Sequence, residues 1–228
     1  MTLCGLSCVV TSIPFAAASE VIFHGLLPDG TSISREITTL RDQKFQHIVR
    51  QETDYSCGAA ALATILKHAY GMGIDEPTVM AGLLSVSNRT EVLQRGFSLL
   101  DIKSYVESLG FRARGYRVDI EKLAEIKVPT IALLELDGFR HFVVLRTVIG
   151  NEVFIADPAL GNRKLTLDEF ERAWINQAVF AVIGPGLDRD TPLRQAPAEF
   201  DSGRWLAHHS PITNTDLLEF GFKSTELF

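Results

Sequence analysis

Residues 51–71 read QETDYSCGAAALATILKHAYG, and this stretch decides the fold of the chain. Ser56 is a residue type that favours the N-cap of a helix, Ala- and Leu-rich sequence follows it, and Gly71 can adopt the left-handed conformation that ends a helix. We therefore predict a helix from Cys57 to Tyr70. Its apolar residues cover more than one face, which is typical of a helix buried in the middle of a domain.

Cys57 opens this predicted helix, where it can act as a nucleophile. Unpaired backbone N–H groups and the positive end of the helix dipole favour thiolate over thiol there. Gln51 lies upstream, and its side-chain amide can donate a hydrogen bond to an oxyanion formed at Cys57. His68 lies about three turns along the helix, too far to serve as the base. The alternative is that Cys57 is a small inert core residue, as free cysteine commonly is.

The composition limits the classes of function. With 228 residues, 46% of them hydrophobic, the chain can form one well-cored domain with short extensions. The net charge of -6 is mild and no basic block is present, so nucleic acid is not expected as a partner. No second His or Cys stands at a metal-like spacing, and we assign no metal and no cofactor. No run after the first residues reaches the length of a membrane span.

Residues 1–18 have the pattern of a signal peptide. They carry no charge, are mostly apolar or small, and end with Ala16 and Ala18 at the positions that signal peptidase requires. We expect cleavage after Ala18, which would remove Cys4 and Cys8 and leave one cysteine in the mature chain. Since a positively charged start is missing, the alternative is an N-terminal strand or helix of the core.

The order of predicted elements after the leader indicates an α+β fold. An N-terminal extension over 19–44 contains a hairpin, helices follow, and most of the sheet comes later. The run at 129–136 is almost continuously apolar, which predicts a strand covered on both faces. Helices are predicted at 57–70, 78–86, 98–110, 119–126 and 167–174, a loop at 87–96, and strands at 111–118, 129–136, 141–149, 152–157 and 178–183.

A cysteine nucleophile needs a base and an acceptor that orients the base, and His141 and Asp157 are the candidates. They lie at the start of one predicted strand and the end of the next. A regular hairpin with the two-residue turn 150–151 would place them on opposite faces of the sheet, whereas a three-residue loop or a bulge would make them diagonal neighbours. We therefore predict an odd-length connection or a bulge. Each residue alone is also compatible with a structural role.

These residues resemble the peptidase C39 family, whose papain-like domains cleave leader peptides after double-glycine-type sites. The resemblance covers about residues 45–185, and we predict a peptidase domain over 45–186 followed by an irregular tail over 187–228. The matching stretches are 51–71, 96–116, 141–144, 155–161 and the predicted helix with Phe170 and Trp174.

The resemblance implies a papain-like cysteine protease fold, in which a helical half carrying the cysteine packs on an antiparallel sheet carrying the histidine and the aspartate. It implies Cys57 as nucleophile, His141 as general base, Asp157 as orienting acid and Gln51 as oxyanion donor. The expected ligand is a protein or peptide substrate.

Family members are commonly fused to a transporter, whereas this chain has a predicted export signal and no ATP-binding segment. It most resembles the free-standing members encoded with functional-amyloid export systems. That likeness implies a periplasmic endopeptidase acting on fibril precursors, with amyloid secretion proteins among its partners. Two alternatives stay open, namely a non-catalytic peptide-binding chaperone or export adaptor, and a papain-like amidohydrolase acting on cell-wall peptides.

Overall fold

The computed structural model describes residues 19–23, 33–37, 39–136, 138–197 and 200. The predicted signal peptide and most of the predicted tail lie outside these residues. The chain divides into two compact units, residues 1–43 and 44–228. In the first unit, strand β1 (Ser19–Phe23) pairs antiparallel with β2 (Ile33–Ile37), and helix α1 (Leu40–Lys44) begins there.

The second unit begins with four helices, of which the first is central. Ten of the 14 residues of this helix, α2, are buried. The helix begins at Cys57, as predicted. Gly71 follows its last residue with φ of 65°, and the N–H of Gly71 donates a hydrogen bond to the carbonyl of Leu66, which confirms the predicted stop. The four helices are α2 (Cys57–Tyr70), α3 (Glu76–Val86), α4 (Arg89–Arg95) and α5 (Leu99–Ser108).

The prediction of a loop over 87–96 was wrong, because most of this segment forms helix α4. The side chain of Asn88 accepts a hydrogen bond from the backbone N–H of Thr90 and caps the helix start. Val92 is 1% exposed and joins the core with the residues of α2. One buried apolar residue in a polar stretch is too weak a periodic signal to predict a short helix.

The rest of the unit is a six-stranded sheet in which all pairs are antiparallel, in the order β3-β8-β4-β5-β6-β7. Helix α6 (Leu167–Ala173) precedes the last strand, and residues 120–125 form a 3-10 helix. The predicted α+β architecture is confirmed. The strands are β3 (Arg112–Arg117), β4 (Thr130–Leu136), β5 (Phe139–Ile149), β6 (Glu152–Asp157), β7 (Gly161–Thr166) and β8 (Trp174–Ile183).

Both faces of the sheet are buried at its centre. Neighbouring residues of one strand belong to different core clusters, since Ile131 and Val144 pack with α2 whereas Ala132 and Val143 pack with Phe170 on the other side. The continuous apolar run of β4 therefore reflects a strand covered on both faces, as predicted. Within the described ranges, no helix is both long enough and apolar enough to cross a membrane.

Candidate active site

Cys57 and His141 line the same cleft, which has a volume of about 440 Å³. Cys57 is the first residue of α2 and is partly buried, and His141 lies near the start of β5. The central helix and the sheet thus bring two of the predicted site residues together. The cleft wall also includes the apolar side chains of Tyr55, Leu93, Phe97, Leu133 and Phe142.

The environment of Cys57 raises the pKa of its thiol, because burial of the sulfur prevails over the influences that lower it. Hydrogen bonds from the backbone at Phe142 and Gly58 lower the pKa, whereas the charge of Asp157 adds to the rise. The prediction that the helix start would favour the thiolate was therefore wrong in its net direction. The helix N–H groups act as expected, but the loss of water around the sulfur outweighs them.

Ser56 does not cap α2, contrary to the prediction. Its φ and ψ are −95° and 7°, and its hydroxyl makes no hydrogen bond to the first turn of the helix. The hydroxyl instead donates to the carbonyl of Thr53 at 2.8 Å and accepts from the N–H of Thr53 at 3.2 Å. This local turn leaves the first N–H groups of α2 unclaimed by a capping side chain and available to a negative charge at Cys57.

A β-bulge places His141 and Asp157 on one face of the sheet. Next to the turn at 150–151, β5 and β6 pair as in a regular two-residue hairpin, with Ile149 opposite Glu152. The register then shifts between Leu145 and Thr147, and beyond the shift Val144 lies opposite Ala156. Position 157 therefore falls opposite position 143, and His141 is its diagonal neighbour. The predicted bulge is confirmed.

The two side chains meet as this register requires. His141 Nε2 lies 2.9 Å from Asp157 Oδ2. The side chain of His141 is 16% exposed and that of Asp157 is 0% exposed. An ionised carboxylate can only accept, so Nε2 carries the proton of the neutral ring and Nδ1 is left as the acceptor. A neutral imidazole with a free Nδ1 is the state that a general base requires.

Asp157 is held as a carboxylate by hydrogen bonds from three residues. Burial alone would raise its pKa, but the hydrogen bond from His141, the positive charge of that ring whenever it is protonated, and the N–H groups of Ala159 and Leu160 lower the pKa below its usual value. The two N–H groups donate to Oδ1 at 2.9 and 3.1 Å. On the other side, Arg163 Nη1 lies 3.7 Å from Oδ2. Arg163 was not identified from the sequence, because its strand β7 was not predicted.

Gln51 lies in the loop that leads into Cys57, and this loop is tied to the strand end that carries Asp157. The backbone N–H of Gln51 donates to the carbonyl of Pro158 at 3.0 Å. Its side-chain Nε2 donates to the carbonyl of Thr53 at 3.2 Å. The amide has two N–H donors, so a second remains for a substrate oxygen. Gln51 is not part of the cleft wall described above.

His68 is placed where it cannot assist Cys57, as expected. It lies near the far end of α2, and its ring packs edge-on against that of His47 with a centroid distance of 5.5 Å. Burial, and then the charges of His47, Lys67 and Arg146, lower its pKa to about 4. Among the described residues, no group of three or more His, Cys, Asp and Glu side chains is placed to hold a metal ion.

The pKa of Cys57 is directly measurable. We expect its alkylation by iodoacetamide to follow a pKa above the value of about 8.5 of free cysteine, because burial raises it in the folded chain. Mass spectrometry of the Cys57 peptide at a series of pH values isolates this residue from Cys4 and Cys8. The denatured chain is the control and should show the ordinary value. A folded-state pKa below that of the denatured chain would contradict the expectation.

The chain has recognisable relatives among known proteins. The model of the peptidase C39 family matches residues 45–182. The "probable functional amyloid protease FapD" of Pseudomonas aeruginosa is 45% identical over 202 residues, which cover 89% of each chain. The protein of the same name from Pseudomonas fluorescens is 40% identical over 202 residues, again with 89% of each chain covered.

A similar fold is found in a crystal structure of a double glycine motif protease from an AMS/PCAT transporter in complex with the leader peptide. The two chains are 28% identical, with a TM-score of 0.50, over 60% of this chain and 89% of the other. The peptidase domain of Streptococcus ComA, at 23% identity and a TM-score of 0.50, covers 60% of this chain and 96% of its own and shares the fold.

Proposed function

The chain belongs to the peptidase C39 family of cysteine peptidases, and on that premise we propose that it is an endopeptidase in which Cys57 is the nucleophile and His141 the general base. Asp157 orients the base and Gln51 helps to bind the oxyanion. The observation that carries this proposal is the 2.9 Å contact between His141 and the buried Asp157, at a cleft that His141 shares with Cys57. The peptidase domain would span 45–186.

The raised thiol pKa indicates a resting nucleophile that is protonated, so the base acts during the attack. His141 Nδ1 takes the thiol proton as Sγ bonds the carbonyl carbon of the substrate. The imidazolium that forms is stabilised by the carboxylate of Asp157. It then gives the proton to the leaving amine, and the peptide bond breaks to leave a thioester on Cys57. Water attacks the thioester with the same histidine as base, which releases the acid and the free thiol.

The negative oxygen of the tetrahedral intermediate needs hydrogen-bond donors. The candidates are the second N–H of the Gln51 side chain and the unclaimed backbone N–H groups at the start of α2. The backbone groups are fixed by the helix, and the second N–H of Gln51 is available while the first stays on the carbonyl of Thr53. A donor raises the rate to the extent that its bond to the oxyanion is stronger than its bond to the carbonyl of the bound substrate.

The substrate class is inferred from the relatives. Two proteins named probable functional amyloid protease match 89% of the chain, so we propose that the substrate is an exported precursor, either a fibril subunit of a functional amyloid or one of its export partners. The cleft wall combines apolar side chains, among them Leu93 at 64% exposed, with the charged side chains of Asp54, Arg95 and Arg140, and so suits an extended or unfolded segment that carries both hydrophobic and polar side chains. On the basis of the predicted signal peptide, we propose that this reaction takes place in the periplasm.

One observation favours a second candidate function, a peptide-binding adaptor for export that keeps the cleft without using the cysteine. A thiol whose pKa is raised by burial is a weaker nucleophile at neutral pH than an ion-paired thiolate. In such an adaptor the contact between His141 and Asp157 would be structural. The adaptor and the peptidase would bind the same segment, and only the peptidase would release two products.

We expect the purified mature chain to cut a recombinant fibril-subunit precursor at one or a few defined bonds, because the apolar and charged side chains of the cleft wall favour particular substrate residues. Intact-mass spectrometry of the reaction gives the cleavage sites. Cell-wall peptides serve as the second substrate, and release of fragments from them alone would support the amidohydrolase alternative. Binding of the precursor without fragments would support the adaptor and contradict the peptidase.

A further inference from the structure

A segment beyond the family domain joins the two elements that carry the catalytic pair. The family match ends at residue 182, and residues 187–197, which we call the strap, follow it. A short 3-10 helix, Pro192–Arg194, lies in its middle and contacts both α2 and β5. Leu193 and Thr191 are each 0% exposed, so the strap is part of the core rather than a surface extension.

One side of the strap holds the C-terminal end of α2. The backbone N–H of Asp188 donates to the carbonyl of Ala69 at 2.8 Å. The hydroxyl of Thr191 donates to the carbonyl of His68 at 2.6 Å. Carbonyls in the last turn of a helix have no partner within the helix and must find one elsewhere. The strap supplies two such partners, and so it fixes the end of the helix whose other end carries Cys57.

The other side of the strap holds the β-bulge of β5. The bulge residue is Arg146, which is 5% exposed. Its Nη2 donates to the carbonyl of Pro192 at 2.7 Å, and its Nη1 donates to Oδ1 of Asn162 on β7. Asn162 in turn donates from Nδ2 to the carbonyl of Gln46 at 3.1 Å. The guanidinium therefore ties the bulge in β5 to the strap and to β7, two strands away in the sheet.

This bulge decides whether the catalytic pair can form. Without the register shift at Arg146, position 157 would lie opposite position 144 and His141 would point to the other face of the sheet. A bulge leaves one residue outside the ladder of hydrogen bonds, so its position depends on what holds that residue. Here the holding contacts come from the strap and from Asn162.

We propose that the strap is a positioning element of the peptidase, which sets Cys57 on α2 against the His141–Asp157 pair on β5 and β6. This positioning role rests on the proposed function only in its consequence for catalysis, since the placement of His141 can be observed without a substrate. Arg146 and Thr191 are the positioning residues, acting through the bulge and through α2. Neither touches the reacting atoms.

The test compares two variants that each remove a hydrogen bond to or from the strap with two controls, all in the full chain. Thr191→Val removes the hydroxyl that bonds the carbonyl of His68, whereas Thr191→Ser keeps it. Arg146→Met keeps the aliphatic stem and removes the contacts of the guanidinium. Leu83→Ala, at a 0% exposed residue of α3, lowers the free energy of unfolding by loss of packing and removes none of the hydrogen bonds of the strap. All measurements are made at temperatures where each variant is folded by circular dichroism.

Two readouts separate positioning from plain stability. The first is kcat on the precursor, which we expect to fall about 10- to 100-fold in Arg146→Met and Thr191→Val with little change in KM, since small misplacements of catalytic groups have effects of that size. The second is the low-field proton resonance of the His141 ring N–H, which reports the bond to Asp157 and should weaken or shift in the same variants. Thr191→Ser and Leu83→Ala should keep both near wild type.

Each outcome decides the proposal. Wild-type kcat and an unchanged His141 resonance in folded Arg146→Met and Thr191→Val would overturn it, as would equal losses in Leu83→Ala. If Arg146→Met does not fold, the contrast between Thr191→Val and Thr191→Ser decides. If the wild-type chain cuts no precursor, the proposed function fails, and the strap is then judged by the His141 resonance and by the pH dependence of Cys57 alkylation.

Discussion

Replacing Cys57 by alanine is expected to reduce kcat/KM on the precursor by about 10⁴-fold or more, because the thioester cannot form without the sulfur. Alanine is the most favourable residue in a helix, and the first turn of α2 can accept it without strain. The variant should therefore fold as the wild type does and still bind the precursor. Cleavage is measured with a quenched fluorescent peptide that spans the mapped site, and binding by fluorescence anisotropy.

Ser85→Ala is the control for this experiment, since it changes an exposed position of a different helix, α3. It removes the hydrogen bond from the Ser85 hydroxyl to the carbonyl of Gly82, 2.6 Å long, and should leave cleavage intact. Undiminished cleavage by Cys57→Ala would show that the nucleophile lies elsewhere. Equal binding with no cleavage by either the variant or the wild type would instead identify the chain as an adaptor.

Local sequence was sufficient to predict the helices and strands whose formation depends on their own residues. The bounds of α2 follow from an apolar run that ends at Gly71, and the structure has the helix over the same residues. Strand β7 was missed because GNRKLT over 161–166 has no alternation of apolar side chains. It forms a strand because it pairs with β6, which is a tertiary cause. Arg163, the neighbour of Asp157, was missed for the same reason.

The sequence was sufficient to predict how the site residues are placed relative to one another, but not how burial changes their pKa values. Hairpin arithmetic required an odd-length connection or a bulge between His141 and Asp157. The structure has the bulge, and its location at Arg146 depends on Asn162 and Pro192, which are remote in sequence. The pKa of Cys57 was expected to fall from its helix position. It rises because the residues packed around the sulfur remove water, and a sequence read in isolation does not reveal that packing.

Replacing Asp157 by asparagine is expected to reduce kcat by about 10³- to 10⁴-fold, because it would lock His141 in the wrong tautomer. One oxygen of Asp157 accepts two backbone N–H bonds, from Ala159 and Leu160, and the other accepts from His141. Asparagine has only one oxygen, and that oxygen should stay with the two N–H groups. Its NH₂ group would then point at His141 Nε2, and a donor at that place requires Nε2 to be the acceptor.

The proton of the neutral ring would move to Nδ1, so the nitrogen that should take the thiol proton would already carry one. Nitrogen-15 NMR of labelled histidine distinguishes the two tautomers. Asp157→Ala is the control, since it removes the orienting group without presenting a donor and leaves the ring free to adopt either tautomer. If Asp157→Asn kept kcat within about 10-fold of wild type, the carboxylate would not be acting as the orienting group.

Asp157→Asn also separates the ionisation of the Cys57 thiol from the action of His141 as a base. The negative charge of Asp157 raises the pKa of Cys57, so its removal should lower that pKa and increase the thiolate fraction at a given pH. A proton on Nδ1 of His141 would favour the thiolate further. Alkylation of Cys57 should therefore become faster in Asp157→Asn while peptide cleavage becomes slower. Opposite signs would show that the thiolate fraction of Cys57 alone does not determine the rate of catalysis at this site.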